Sequence, residues 1–172
     1  MSDRMLFENI TENNMTFERV FSKILRFMEL EPSAVYHLSI GTDSQVHPNE
    51  TRFVSAIHIH RVGRGAWGCL RQIIMPREIR SIREKISLET AYSQELASLF
   101  TSEHFDEMTD ILVPYADEGA DLRFGIHLDI GRKGVTKDLI QEMTSRIKSM
   151  GIEAKIKPDS YAASSYANRY TK

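Results

Sequence analysis

The chain has 172 residues, 41% of them hydrophobic and 27% charged, with a formal net charge of −2. That is enough for one packed core, is ordinary for a globular protein, and lacks the basic balance of a dedicated nucleic-acid binder. No apolar run approaches the ~18 residues that span a bilayer, and Met1-Ser2-Asp3-Arg4 is not followed by a signal-peptide core, so a cytoplasmic protein with no membrane partner is expected. The single cysteine, Cys69, excludes an internal disulfide or a cysteine-based zinc cluster and reads as a small core residue.

Residues 1–15 are polar apart from Met5-Leu6-Phe7 and give no clear element. From Thr16, a helix cap, the apolar stripe Phe17, Val20, Phe21, Ile24, Leu25 and Met28 predicts a helix that Glu31-Pro32-Ser33 ends. The next stretch, residues 36–44, reads as a buried strand that runs out on a carboxylate. Leu38 and Ile40 make a greasy face, and His37, Ser39, Gly41 and Asp43 make the other. After a polar turn, residues 52–61 form a second strand, Val62-Gly63-Arg64-Gly65 a hairpin turn, and residues 66–75 the returning strand, closed by Pro76.

Residues 77–101 predict the longest helix. Ile82, Ile86, Leu88, Tyr92, Leu96, Leu99 and Phe100 share a broad face with Glu89 near its middle, where a carboxylate is costly unless paired or coordinated. Residues 103–122 are ambiguous, with 110–115 fitting a short helix or a strand. Residues 122–130 form a second aspartate strand: Phe124, Ile126, Leu128 and Ile130 on one face, Gly125, His127 and Asp129 on the other. The Gly131–Gly134 loop leads to a helix capped by Thr136 and stopped by Gly151. A short strand over 152–157 and a helix opened by Pro158-Asp159-Ser160 complete the chain. Three strands in a meander followed by alternating helices and strands give a mixed α/β sheet, in which a helical crossover brings the 124–130 strand beside the 36–43 strand.

This order of elements, with acids at these places, resembles the ribonuclease H-like fold, whose site comprises an Asp on the first strand, a Glu on the helix after the meander, an Asp ending the fourth strand and an acid opening the last helix. The resemblance implies a mixed five-stranded sheet flanked by helices over residues 35–172, with residues 1–34 as an N-terminal helical extension. Position by position it implies Asp43, Glu89, Asp129 and Asp159 as catalytic and metal-binding residues. The chain is also similar over nearly its whole length to the bacterial YkuK family, best through Gly41-Thr42-Asp43-Ser44-Gln45 and His127-Leu128-Asp129-Ile130-Gly131.

Such a set of acids suits Mg²⁺ or Mn²⁺, hard cations that take oxygen ligands. A pair of ions roughly 4 Å apart would serve hydrolysis of a phosphodiester of RNA, DNA or a hybrid. Arg77, Arg80, Arg83 and Lys85 at the long helix, and Arg132, Lys133 and Lys137 after the second aspartate, are candidates for contact with nucleic-acid phosphates, with Arg80, Arg83, Lys133 and Lys137 foremost. Plainer readings stand beside these. Asp43 and Asp129 suit turns, Glu89 a groove or an arginine partner, Asp159 an N-cap, and the arginines a solvated helix face. His58 and His60 share a strand face where a transition metal is the minor alternative to hydrogen-bonded histidines. Two rival functions follow: a non-catalytic module of the same fold that binds nucleic acid or a protein partner, and a protein that binds a nucleotide or phosphate ligand through the glycines after Asp129.

Overall fold

A computed structural model describes residues 5–130 and 136–156. The architecture is a five-stranded mixed sheet with flanking helices, as expected. Helix α1 (Phe17–Leu30) precedes strands β1 (Val35–His47), β2 (Glu50–Arg61) and β3 (Ala66–Met75). Then come α2 (Ile82–Ala97), α3 (Ser102–Leu112), a 3-10 helix (Val113–Glu118), β4 (Asp121–His127), α4 (Lys137–Lys148) and β5 (Glu153–Lys155). The strand order is β3-β2-β1-β4-β5. β1 pairs antiparallel with β2 and β2 with β3, whereas β4 lies parallel to β1 and β5 parallel to β4. The meander and the crossover therefore meet at β1, the central strand.

Alternation along β1 decides which side the helices cover. Tyr36, Leu38 and Ile40 join Ile57, Ile59, Cys69, Ile126 and Leu128 in one core cluster with the apolar faces of α1, α3 and α4. Thr16 caps α1 as expected, accepting from the Arg19 N–H at 3.2 Å, and Thr136 caps α4 by accepting from the Leu139 N–H. The polar N-terminal segment is also anchored. Phe7 pairs with Met15, and Glu8 forms a bridge to Leu70 of β3.

Four expectations change. β1 does not run out at Asp43 but continues to His47, because it stays paired with β2 up to His47 opposite Glu50, the turn between them using Asn49 at φ 67°. The long helix starts at Ile82 rather than 77, and Ser81 caps it by accepting from the Glu84 N–H. The segment before it is pinned to β2 instead: the Thr51 hydroxyl donates to the Arg77 carbonyl and accepts from the Ile79 N–H, each at 2.9 Å, with Ile79 fully buried. The buried face of α2 is also narrower and more polar than the periodicity implies. It holds Ile86, Glu89, Thr90, Ser93, Leu96 and Ala97, while Ile82 is exposed. Finally, the ambiguous stretch is helical, with Met108 and Leu112 of α3 in the core. The helix expected after Pro158 lies outside the described residues.

One cation joins α1 to the sheet. The buried Arg61 guanidinium donates to the Phe27 carbonyl and, at 2.9 Å, to the Tyr36 hydroxyl, and stacks 3.9 Å from the centre of the Phe27 ring. The Tyr36 hydroxyl in turn donates to the Glu31 carbonyl at 2.8 Å, satisfying the end of α1. Arg61→Ala leaves those acceptors unmatched in a buried position and is expected to cost about 2–4 kcal/mol in urea unfolding. A loss below about 1 kcal/mol would show that α1 does not depend on this contact.

Candidate functional site

The register of the two parallel strands places the first two acids. β1 and β4 pair from Val35 opposite Asp121 to Gly41 opposite His127. Two residues beyond this pairing stand Asp43, still on β1, and Asp129, which lies past the end of β4 because that strand stops at His127 rather than at the expected residue 130. Neighbouring strands lie about 4.8 Å apart. The chain beyond His127 keeps this course: the Leu128 N–H donates to the Lys155 carbonyl at 2.7 Å, and Leu128 and Ile130 are buried on either side of a half-buried Asp129. Asp43 lies on β1 beyond the reach of β4, its side chain half-buried and its Oδ1 accepting from the Ser44 N–H at 2.9 Å.

The third acid arrives from α2 along a polar seam. Thr42 and Ser44 share the face of β1 toward that helix. The Thr42 hydroxyl shares hydrogen bonds of 2.8 Å with Ser55 of β2 and with Ser93 of α2, all three residues being buried. The Ser44 hydroxyl donates a hydrogen bond to the Glu89 carboxylate. Glu89 and Ser93 are four apart on a helix, about 6 Å along its axis, and Thr42 and Ser44 are two apart on a strand, about 6.6 Å. The two spacings match, with α2 running opposite to β1, and the match holds Glu89 at the end of the sheet. On β2, the neighbouring Phe53 ring tilts against Tyr92 of α2 at 5.0 Å.

Glu89 is 8% exposed, and its carboxyl is pushed up to about 8. Burial is the main cause. The Ser44 hydrogen bond opposes it, the negative charges of Asp43 and Asp129 raise it further, and Lys85 lowers it. Both aspartates are thus within electrostatic reach of Glu89. The three acids are not gathered into a closed cluster, because alternation points Asp43 and Asp129 away from the face that α2 covers. Among the described residues no three His, Cys, Asp or Glu side chains form a group that could hold a metal ion as they stand. Asp159 lies outside the described residues.

The cationic candidates are partly committed elsewhere. Arg80 is exposed and paired with Glu78, and Arg83 reaches Glu142 of α4 at 3.0 Å. Lys137 is the exposed first residue of α4, and Lys133 lies outside the described residues. On the face of the sheet away from the helices, His37 and His58 flank His60 with ring centres 6.3 and 6.1 Å from it. His127 stands two residues before Asp129 on β4. The minor expectation of a transition-metal site at His58 and His60 gains no third ligand among the described residues. Burial pushes His58 and His127 down to about 4 in each case, so both are neutral at pH 7. The residues that sequence reasoning passes over are Ser44, Thr42, Ser55 and Ser93. Their signal was the alternation that puts Thr42 and Ser44 together and the spacing of four between Glu89 and Ser93.

These shifts set a stability profile. A neutral buried histidine contributes stability that is complete above its unfolded value of 6.5 and is lost as pH falls toward 4. A glutamate raised from 4.5 to about 8 acts in the other direction: stability is complete below 4.5 and is lost as pH rises toward 8. With two histidines against one glutamate, stability peaks near about pH 6.5. Glu89→Gln, which cannot ionise, is expected to abolish the alkaline decline and raise Tm at pH 8.5 by at least about 5 °C over the natural protein, with little change at pH 5. Parallel declines in the two proteins, read by thermal unfolding across pH, would refute a protonated Glu89.

A family model described as ribonuclease H-like matches residues 19–172. The chain is 59% identical over 172 residues to a Bacillus subtilis (strain 168) protein named "Uncharacterized protein YkuK", covering 100% of both chains. No solved structure matches. Among the described residues no helix is long and apolar enough to cross a membrane. The mixed five-stranded sheet with its flanking helices and the family match agree: the chain belongs to the ribonuclease H-like family.

Proposed function

We propose that this protein is a divalent-metal-dependent nuclease acting on phosphodiester bonds of RNA, DNA or a hybrid. The observation that supports the reading is the buried Glu89, electrostatically coupled to Asp43 on β1 and to Asp129 just past the end of the parallel strand β4. Asp43, Glu89 and Asp129 are the residues that would hold Mg²⁺ or Mn²⁺, joined by Asp159 from beyond the described residues. Three carboxylates suit such a cation in chemistry, although they would have to draw together from where they stand, and Glu89 keeps its proton at neutral pH because of its burial and, secondarily, its negative neighbours. Bound divalent ions supply water activation and stabilisation of the leaving oxygen in phosphodiester hydrolysis.

The chain's own residues supply the rest. Glu89 gives up its proton when its negative neighbours are compensated, so loading is coupled to proton release and tightens as pH rises. Asp43 and Asp129 fix the level at which a scissile phosphate is presented. Exposed Lys137 at the start of α4 offers a counter-charge to phosphate, as does Lys133 in the segment between Asp129 and that helix. Arg80 and Arg83 contribute by exchanging Glu78 and Glu142 for phosphate oxygens. That same pairing with glutamates favours the second reading, a non-catalytic ribonuclease H-like module that binds nucleic acid or a protein partner.

Calorimetric titration with Mn²⁺, paired with incubation on labelled RNA, DNA and hybrid strands, separates the two. The nuclease reading expects saturable Mn²⁺ binding and metal-dependent cleavage, with Asp43→Asn weakening binding at least about tenfold and cleavage at least about a hundredfold. Binding of nucleic acid without cleavage, or cleavage unchanged in Asp43→Asn, would favour the non-catalytic module or place the chemistry elsewhere.

A further inference from the structure

Ser44 touches two of the three described acids by different groups. Its backbone N–H is held by the Asp43 carboxylate at 2.9 Å, and its hydroxyl is given to the Glu89 carboxylate. The first contact fixes the side chain of the residue before it on the central strand. The second crosses from strand to helix and is one of the two polar rungs of the α2–β1 seam, the other being Thr42 with Ser93. The Thr42 rung lies deeper, is buried on every side and involves no acid. Ser44 is therefore the point at which the helix acid and the strand acid share a partner.

We propose that Ser44 is the positioning residue of the acid site: its hydroxyl orients the Glu89 carboxylate for a divalent cation, beside the Asp43 carboxylate that its backbone N–H holds. This inference rests on the metal-dependent reading and deepens it. Ser44 need not touch the cation or the substrate. A hydroxyl that donates to one oxygen of Glu89 leaves the other oxygen aimed by the constraint, and it favours the ionised carboxylate over the protonated one. Serine suits the position because its small, half-buried side chain reaches α2 from the strand without displacing the helix.

The test uses Ser44→Thr and Ser44→Val, two β-branched residues of nearly the same shape that differ in the hydroxyl; Ser44→Ala replaces Ser44→Val if the latter does not fold. Mn²⁺ affinity by calorimetry is expected to stay within about threefold of the natural protein in Ser44→Thr and to weaken about tenfold or more in Ser44→Val. A folded Ser44→Val protein with unchanged Mn²⁺ affinity would overturn the proposal. The ¹³C titration of the Glu89 carboxyl in metal-free protein supplies the second measurement, with ionisation moved to higher pH in Ser44→Val and unmoved in Ser44→Thr. If the natural protein binds no Mn²⁺, the metal-dependent reading fails by itself. The carboxyl titration then decides Ser44: a shift in Ser44→Val alone sustains its hold on Glu89, and identical titrations in all variants reject it.

Discussion

The parallel pairing of β1 with β4 is the constraint on which the rest depends. Because the two strands are in fixed register to Gly41 and His127, that register carries forward to the aspartates two residues beyond them. A slip of one residue would send Asp129 to the face the helices cover and turn Ile126, Leu128 and Ile130 out of the core. The greasy alternation of Ile126, Leu128 and Ile130 forbids that slip, so the core of the domain also specifies the geometry of its acids.

Against this frame α2 delivers a carboxylate to a position that costs stability. A buried glutamate near two aspartates is kept protonated by desolvation and repulsion, and the penalty grows with pH across the neutral range. Such penalties persist where surrounding structure over-determines the position. Here the over-determination is the pair of polar rungs, Thr42 with Ser93 and Ser44 with Glu89, set by matching rises of helix and strand. A seam of small hydroxyls gives α2 a fixed register on β1 that interchangeable aliphatic contacts would leave looser.

Much of this was legible in the residues. The period-two alternation around Asp43 and Asp129 and the caps at Thr16 and Thr136 fixed the strands and helices, because each depends on local chemistry. Three features escaped it. β1 extends to His47 through a polar arm whose pairing with β2 leaves no apolar alternation to read. α2 loses its first turn because Thr51 captures the backbone at Arg77 and Ile79, a contact spanning more than twenty residues. The greasy face inferred around Glu89 is in fact half polar, since Glu89 shares it with Thr90 and Ser93, which count as polar in any periodicity although they pack as small buried groups. Glu89 stood out by its place on an apolar face, and it is buried there, but its partner Ser44 was hidden beside the more conspicuous Asp43.

The most direct measurement is the number of protons released when Mn²⁺ binds at pH 7, obtained from calorimetry in buffers of differing ionisation enthalpy. A protonated Glu89 that becomes a ligand predicts release of about one proton by the natural protein and almost none by Glu89→Gln. Binding with no proton released by the natural protein, or with the same release in both proteins, would contradict the central role of Glu89.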